Sequence, residues 1–281
     1  MKDRQEPNVP LRWVFRALFA LLAVYGIMAW FRPMLGAEVQ LAANVPGNDV
    51  EVLGIGRHSA SAIFVHGLGS NAAQNIPLVS RLRQKLFQVS FILPSADPIP
   101  LSAFDGASHS AWFDVADLQP AMDAPLPTRE DEDGIKRAVD RIHGLVQKEV
   151  DKGIEPHRIV LGGFSQGCAT ALLAAIASKE KLGGVICLSG WLPLSYKIAK
   201  VGPRKRHPMQ AEHAHNMPVF WGHGAADPTV HYLWAEQSLD HLADMGFRDI
   251  EAHTYDGLEH TVSWAEEQDL EKWLERILPP T

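Results

Sequence analysis

The stretch Arg158-Ile-Val-Leu-Gly-Gly-Phe-Ser-Gln-Gly-Cys-Ala-Thr-Ala-Leu-Leu-Ala-Ala175 decides how the chain is read. Its first part, Ile159 to Leu161, is a short apolar run rich in β-branched residues, as in a buried strand. Its last part, Ala169 to Ala177, is built from good helix formers. Between them lies Gly163-Phe-Ser-Gln-Gly167, a G-x-S-x-G pattern. A strand that turns directly into a helix strains the residue at the turn, and flanking glycines remove the Cβ atoms that would clash there. Ser165 is therefore expected on an exposed elbow, at a helix N-terminus whose unpaired N–H groups favour negative charge. That placement suits a serine that attacks a carbonyl. The pattern alone is weak, because Gly and Ser are common in loops. It gains force only if other parts of the chain supply an acid, a base and oxyanion donors.

Outward from this stretch, the chain alternates strand-like and helix-like runs from about Asn48 onward. This is the mark of a mostly parallel sheet covered on both faces, a three-layer α/β sandwich. Strands are expected at Val50–Ile55, Ala62–His66, Val89–Leu93, Gly184–Ser189, Pro218–Trp221 and Ile250–Tyr255. Helices are expected at Pro77–Leu86, from Thr128 as cap to Gly153, at Val230–Met245 and at Val262–Leu278. The second helix carries Ile135, Val139, Ile142, Val146 and Val150 on one face. Residues 95–127 and 191–216 read as irregular, and the former is long enough to be a lid or other functional loop.

Composition narrows the partners. The 281 residues carry a net charge of −7, which implies no basic face for nucleic acid. The two cysteines, Cys168 and Cys187, both fall in apolar runs and read as small buried hydrophobes rather than a disulfide framework. Residues 17–31, Ala17 to Phe31, are uncharged. As a helix they span about 22 Å, short of a bilayer core of about 30 Å, and extension back to Leu11 takes in Arg12 and Arg16, which could snorkel. Lys2, Arg4, Arg12 and Arg16 precede the run, and no small-x-small cleavage site follows it. Residues 1–32 are thus expected to be an uncleaved membrane anchor, with a cleaved signal or a peripheral segment as alternatives. Residues 33–49 are a linker and 50–281 the folded domain.

In this topology acid and base should follow the serine on loops after later strands. Asp227 stands in a glycine-rich loop just past Val219-Phe-Trp221, placed to accept an imidazole N–H. His260, in Tyr255-Asp-Gly-Leu-Glu-His260, follows the last expected strand and is selected by position from 13 histidines. The oxyanion donors would be the N–H groups of Gln166 and of Leu68, in the loop His66-Gly-Leu-Gly69. His66 reads as a loop-holding residue. His213 and His215 beside Glu212 have H-x-H spacing, but no ordered element is evident there, and a solvated loop is the better reading. No metal or cofactor is expected. The basic run Arg204-Lys-Arg206 is expected to be solvated or in contact with anionic lipid. Trp112, Phe113, Trp191 and Leu192 could line an acyl channel or simply pack in the core.

Six segments together resemble the acyl-protein thioesterases, the phospholipase/carboxylesterase branch of the α/β-hydrolases. They are His66-Gly-Leu-Gly69, Ala111-Trp-Phe-Asp114, Glu132-Asp-Gly-Ile135, Gly162-Gly-Phe-Ser-Gln-Gly167, Ser189-Gly-Trp-Leu-Pro193 and Tyr255-x-Gly-x-x-His260. The resemblance runs from about Ala62 to Pro280. It implies an α/β-hydrolase sandwich with Ser165, Asp227 and His260 as the triad and Leu68 and Gln166 as oxyanion donors. It also implies hydrolysis of S-palmitoyl groups on protein cysteines, or of lysophospholipid and short esters. A small-ester carboxylesterase and a non-catalytic lipid-binding protein stand as alternatives. Cys168 replaces the small glycine more usual in that family, and the stretch Tyr196–Asn216 matches poorly. The family is generally soluble and cytoplasmic or nuclear. An uncleaved anchor with a cytoplasmic basic flank would instead put the domain across the membrane.

Overall fold

The computed structural model describes residues 49–117, 123–201 and 204–281. The expectations for the apolar segment 1–32, and for nearly all of the linker, lie outside them. In chain order the regular elements are β1 (Val50–Val52), β2 (Ala60–Val65), α1 (Ala72–Leu82), β3 (Val89–Leu93), β4 (Pro98–Pro100), β5 (Ser108–Ser110), α2 (Glu132–Asp151), β6 (Ile159–Phe164), α3 (Gln166–Ala177), β7 (Gly184–Leu188), β8 (Ala199–Val201), β9 (Arg204–Arg206), β10 (Val219–Gly224), α4 (Tyr232–Asp244), β11 (Ile250–Tyr255) and α5 (Trp264–Ile277).

Seven strands form one sheet in the order β1-β3-β2-β6-β7-β10-β11. Every pairing is parallel except β1 with β3, which closes one edge antiparallel. The elbow strand β6 is the middle strand of the seven. Its neighbours on the two faces alternate as a pleated strand requires. Ile159 and Leu161 join a core cluster with buried residues of α2, α3 and α4, whereas Val160 joins a second cluster with α1 and α5. This is the expected three-layer sandwich. Among the described residues no helix is long and apolar enough to cross a membrane.

Local chemistry sets the helix ends, and here the sequence expectations need correction. Helix α1 begins five residues before Pro77, because the Asn71 side chain caps it by accepting the Ala73 N–H at 3.0 Å. Pro77 lies inside the helix rather than in its first turn. Helix α2 is capped by Asp131, not Thr128; the carboxylate accepts the Gly134 N–H at 2.9 Å and the Asp114 N–H at 3.0 Å. Ile135, Val139, Ile142 and Val146 are buried as expected, and Gly153 stops the helix at a φ of 92°. The two irregular stretches each contain a short hairpin, β4–β5 in the first and β8–β9 in the second. The basic run is therefore strand β9, with Lys205 paired to Asp244 at 2.6 Å.

The cysteines also differ from expectation. Cys168 and Cys187 form a disulfide, with their Cα atoms 4.7 Å apart. The sequence separates them by 19 residues, but the β6–α3–β7 crossover lays the first turn of α3 back over β7.

Helix α5 opens on a capping box. Ser263 accepts the Glu266 N–H at 3.1 Å, and Glu266 Oε2 accepts the Ser263 N–H at 3.3 Å. The rest of Glu266 is sealed in the interior against Gly222, and its Oε1 has no hydrogen-bond partner among the described residues. Burial pushes its carboxyl up to about 8, against the pull of the Ser263 N–H.

Three stability outcomes are expected. Gly167→Ala should cost more than about 2 kcal/mol, because a Cβ there collides with the Val65 carbonyl of β2. Gly144→Ala, on the exposed side of α2 with open space around it, should gain about 0.5–1 kcal/mol. Urea denaturation of both variants measures this. Because the folded pKa of Glu266 is raised, its contribution is fully present below the unfolded carboxylate range and is lost as pH rises through about 8. Glu266→Gln should flatten that alkaline fall in a melting-temperature series from pH 5 to 9.

Candidate active site

Ser165 stands at the C-terminal end of the central strand with φ 57° and ψ −123°, a conformation that side chains other than glycine rarely adopt. Its surroundings impose it. The turn is so tight that a Cβ on Gly163 would strike the carbonyl of Gly167, and a Cβ on Gly167 would strike β2. The Ser165 N–H donates to Leu188 O at 2.9 Å, which ties the elbow to β7. Helix α3 starts at the next residue, Gln166.

The loop after β2 packs directly on this elbow: a Cβ on Gly67 would lie 3.2 Å from Ser165 Cβ. Leu68 is the next residue of this loop. The loop is held by His66, which is fully buried. Its Nε2 accepts the Ala96 N–H at 2.9 Å, so the ring proton sits on Nδ1 and is donated to Gly67 O at 2.7 Å. Burial lowers the His66 pKa, more than the Gly67 bond raises it, so the ring stays neutral. Trp112 Nε1 donates to His66 O at 2.8 Å, and the Gly69 N–H donates to Ser110 O at 2.7 Å. The Gln166 side chain closes the set, accepting from Trp112 N at 2.9 Å and donating to Phe113 O at 2.8 Å. The loop His66–Gly69, the segment Ser110–Phe113 and the start of α3 are thus one hydrogen-bonded unit.

Asp227 and His260 come together from the loops after β10 and β11. Those loops are knit by backbone bonds, Ala225 N to Tyr255 O at 2.9 Å and Ala226 N to Leu258 O at 3.0 Å. The buried Asp227 carboxylate accepts Thr229 and Val230 N–H on Oδ1, at 2.8 and 2.9 Å, and His260 Nδ1 on Oδ2 at 2.7 Å. Burial would raise its pKa, but the His260 bond and charge and the two N–H groups together hold it below the usual carboxylate range. The ionised carboxylate therefore fixes the His260 proton on Nδ1 and leaves Nε2 with a lone pair. Phe164, the residue before Ser165, lies against the His260 ring with centroids 4.7 Å apart.

Four contributors were not evident in the sequence. Phe164 props the imidazole. His223, 3.6 Å from Asp227, donates through Nε2 to Val230 O at 2.8 Å and braces the carboxylate loop. Glu130 accepts from Trp191 Nε1 at 3.0 Å and from Leu194 N at 2.5 Å. The disulfide joins the first turn of α3 to β7. Only the aromatic x in G-x-S-x-G carried a readable signal.

Trp112, Phe113, Trp191 and Leu192 are all buried in the larger core cluster. Phe113 and Trp191 meet edge to face at 6.2 Å, and Trp191 meets Trp234 at 5.7 Å. Of the H-x-H pair, His213 bonds Glu180 O at 3.0 Å, and no cluster of three or more metal-type side chains occurs among the described residues.

The chain is similar to known proteins. Residues 49–278 match the phospholipase/carboxylesterase family model. Acyl-protein thioesterase 1 of Gibberella zeae is 40% identical over 226 residues, covering 80% of this chain and 93% of that protein. Acyl-protein thioesterase 1 of Cryptococcus neoformans var. neoformans is 37% identical over 233 residues, covering 79% and 93%. The crystal structure of Zea mays acyl-protein thioesterase 2 superposes with a TM-score of 0.69 at 29% identity, covering 83% of this chain and 99% of that one. Arabidopsis thaliana SOBER1 gives a TM-score of 0.69 at 30% identity, covering 78% and 99%. The chain belongs to the phospholipase/carboxylesterase family and is a hydrolase of the α/β-hydrolase fold.

Proposed function

We propose that this hydrolase cleaves acyl thioesters, with acylated protein cysteines as substrates, through an acyl-enzyme on Ser165. The observation that carries the reading is the bond from His260 Nδ1 to a buried, ionised Asp227, with the ring packed at a tilt against Phe164, the residue that precedes Ser165. In the first step His260 Nε2 takes the Ser165 proton as Oγ attacks the thioester carbonyl. The N–H groups of Gln166 and Leu68 hold the oxyanion, at about 3 kcal/mol of barrier each. The C–S bond then breaks, the thiol leaves with the proton carried by His260, and the acyl group stays on Oγ. Water, activated by the same imidazole, releases the acid and restores the serine. Asp227 orients the ring and stabilises its cationic form.

The relatives named acyl-protein thioesterase support this substrate class over small oxygen esters and over a non-catalytic lipid binder. Trp112, Phe113, Trp191 and Leu192 enter the reading as a packed wall beside the elbow. The apolar run 17–31 supports membrane association of the enzyme, which fractionation with protease protection tests directly.

Ser165→Ala should lower kcat at least about 10⁴-fold and abolish labelling by a fluorophosphonate probe. Asp227→Asn should lower kcat on the order of 10³-fold with KM little changed. A matched panel of thioesters and oxygen esters of several chain lengths tests the substrate class. The proposal expects higher kcat/KM for long-chain thioesters, and a uniform preference for short oxygen esters would overturn it.

A further inference from the structure

The segment Ser165–Cys168 is tied to strand β7 at two consecutive residues. Its N–H bonds Leu188 O, and one position earlier Cys187 is joined to Cys168 on the first turn of α3. Cys187 pairs in register with Gly163, two residues before the serine. The site on the far side of Cys168 is fitted to it. A Cβ on Gly190 would run into Cys168 Sγ and come within 2.9 Å of the Ser165 carbonyl oxygen. Both cysteines are fully buried.

We propose that the Cys168–Cys187 disulfide is a positioning device for the nucleophile, holding the strained Ser165 elbow against β7 from the helix side. A backbone conformation of this kind persists only where its surroundings overdetermine it. The Leu188 bond fixes the approach to the elbow, and the disulfide fixes the exit. The inference rests on Ser165 being the nucleophile. Formation of the bond removes a hydrogen from each thiol and passes two electrons to an external disulfide, which leaves as two thiols. Since both sulfurs are sealed in the core, the bond closes during folding, in a thiol-oxidising environment.

The test compares two forms of the full-length chain, one refolded in a glutathione redox buffer and one in excess reductant. Each is unfolded with iodoacetamide and weighed. The first should carry no adduct and the second two. The oxidised form should melt higher by on the order of 10 °C. Well below both melting transitions, a fluorophosphonate should label Ser165 several-fold faster in the oxidised form, and kcat should be several-fold higher with KM unchanged. Cys168→Ala/Cys187→Ala should behave as the reduced form and replaces it if the reduced chain does not refold. Two adducts on the redox-buffered sample, or equal labelling rates in both forms, would overturn the inference. Turnover surviving in Ser165→Ala would instead sink the functional reading, while the mass and melting results would still report on the bond.

Discussion

Everything near the candidate site follows from one constraint: Ser165 is held at a positive φ where strand β6 becomes helix α3. The backbone can turn so sharply only because Gly163 and Gly167 touch each other and β2 without side chains between them. Relaxing the turn would break the Ser165 bond to Leu188 and move the helix N-terminus. It would also pull Gln166 away from Trp112 and Phe113, and with it the loop that carries Leu68.

The second half of the site is assembled by a different force. Asp227 is an ionised group in a dry place, which is costly unless its oxygens are satisfied. Two backbone N–H groups and His260 satisfy them, so the carboxylate and the imidazole fix each other. Phe164 is the bridge between the halves, since it belongs to the elbow strand and packs against the imidazole. The sheet therefore sets the serine, the buried charge sets the histidine, and the ring of Phe164 on the elbow strand lies against the imidazole.

The order of elements was legible because it rests on local, periodic signals, and the places of Asp227 and His260 on the loops after β10 and β11 follow from that order. β3 and β11 fall where their apolar and β-branched runs place them, and the middle position of β6 follows from the elbow. Caps were harder. Asn71 and Asp131 beat Pro77 and Thr128 as helix starts because their side chains find a specific N–H, which spacing alone does not reveal. The hairpins β4–β5 and β8–β9 hide in stretches with weak alternation. The disulfide was illegible because its partners are distant in sequence and both sit in apolar runs, where a buried thiol is the ordinary outcome. The same holds for Glu266, a charge in sequence that burial turns into a neutral acid.

The disulfide inference also bears on where the enzyme would work. A sealed, oxidised pair is the chemistry of compartments that keep disulfides. Trapping the acyl-enzyme tests most directly whether Ser165 is the nucleophile. A slow acyl thioester is turned over, quenched in acid during the burst, and the digested protein is mapped by mass spectrometry. The acyl mass is expected on the peptide containing Ser165 and on that residue. An acyl group found on another side chain, or a burst with no covalent adduct, would contradict it.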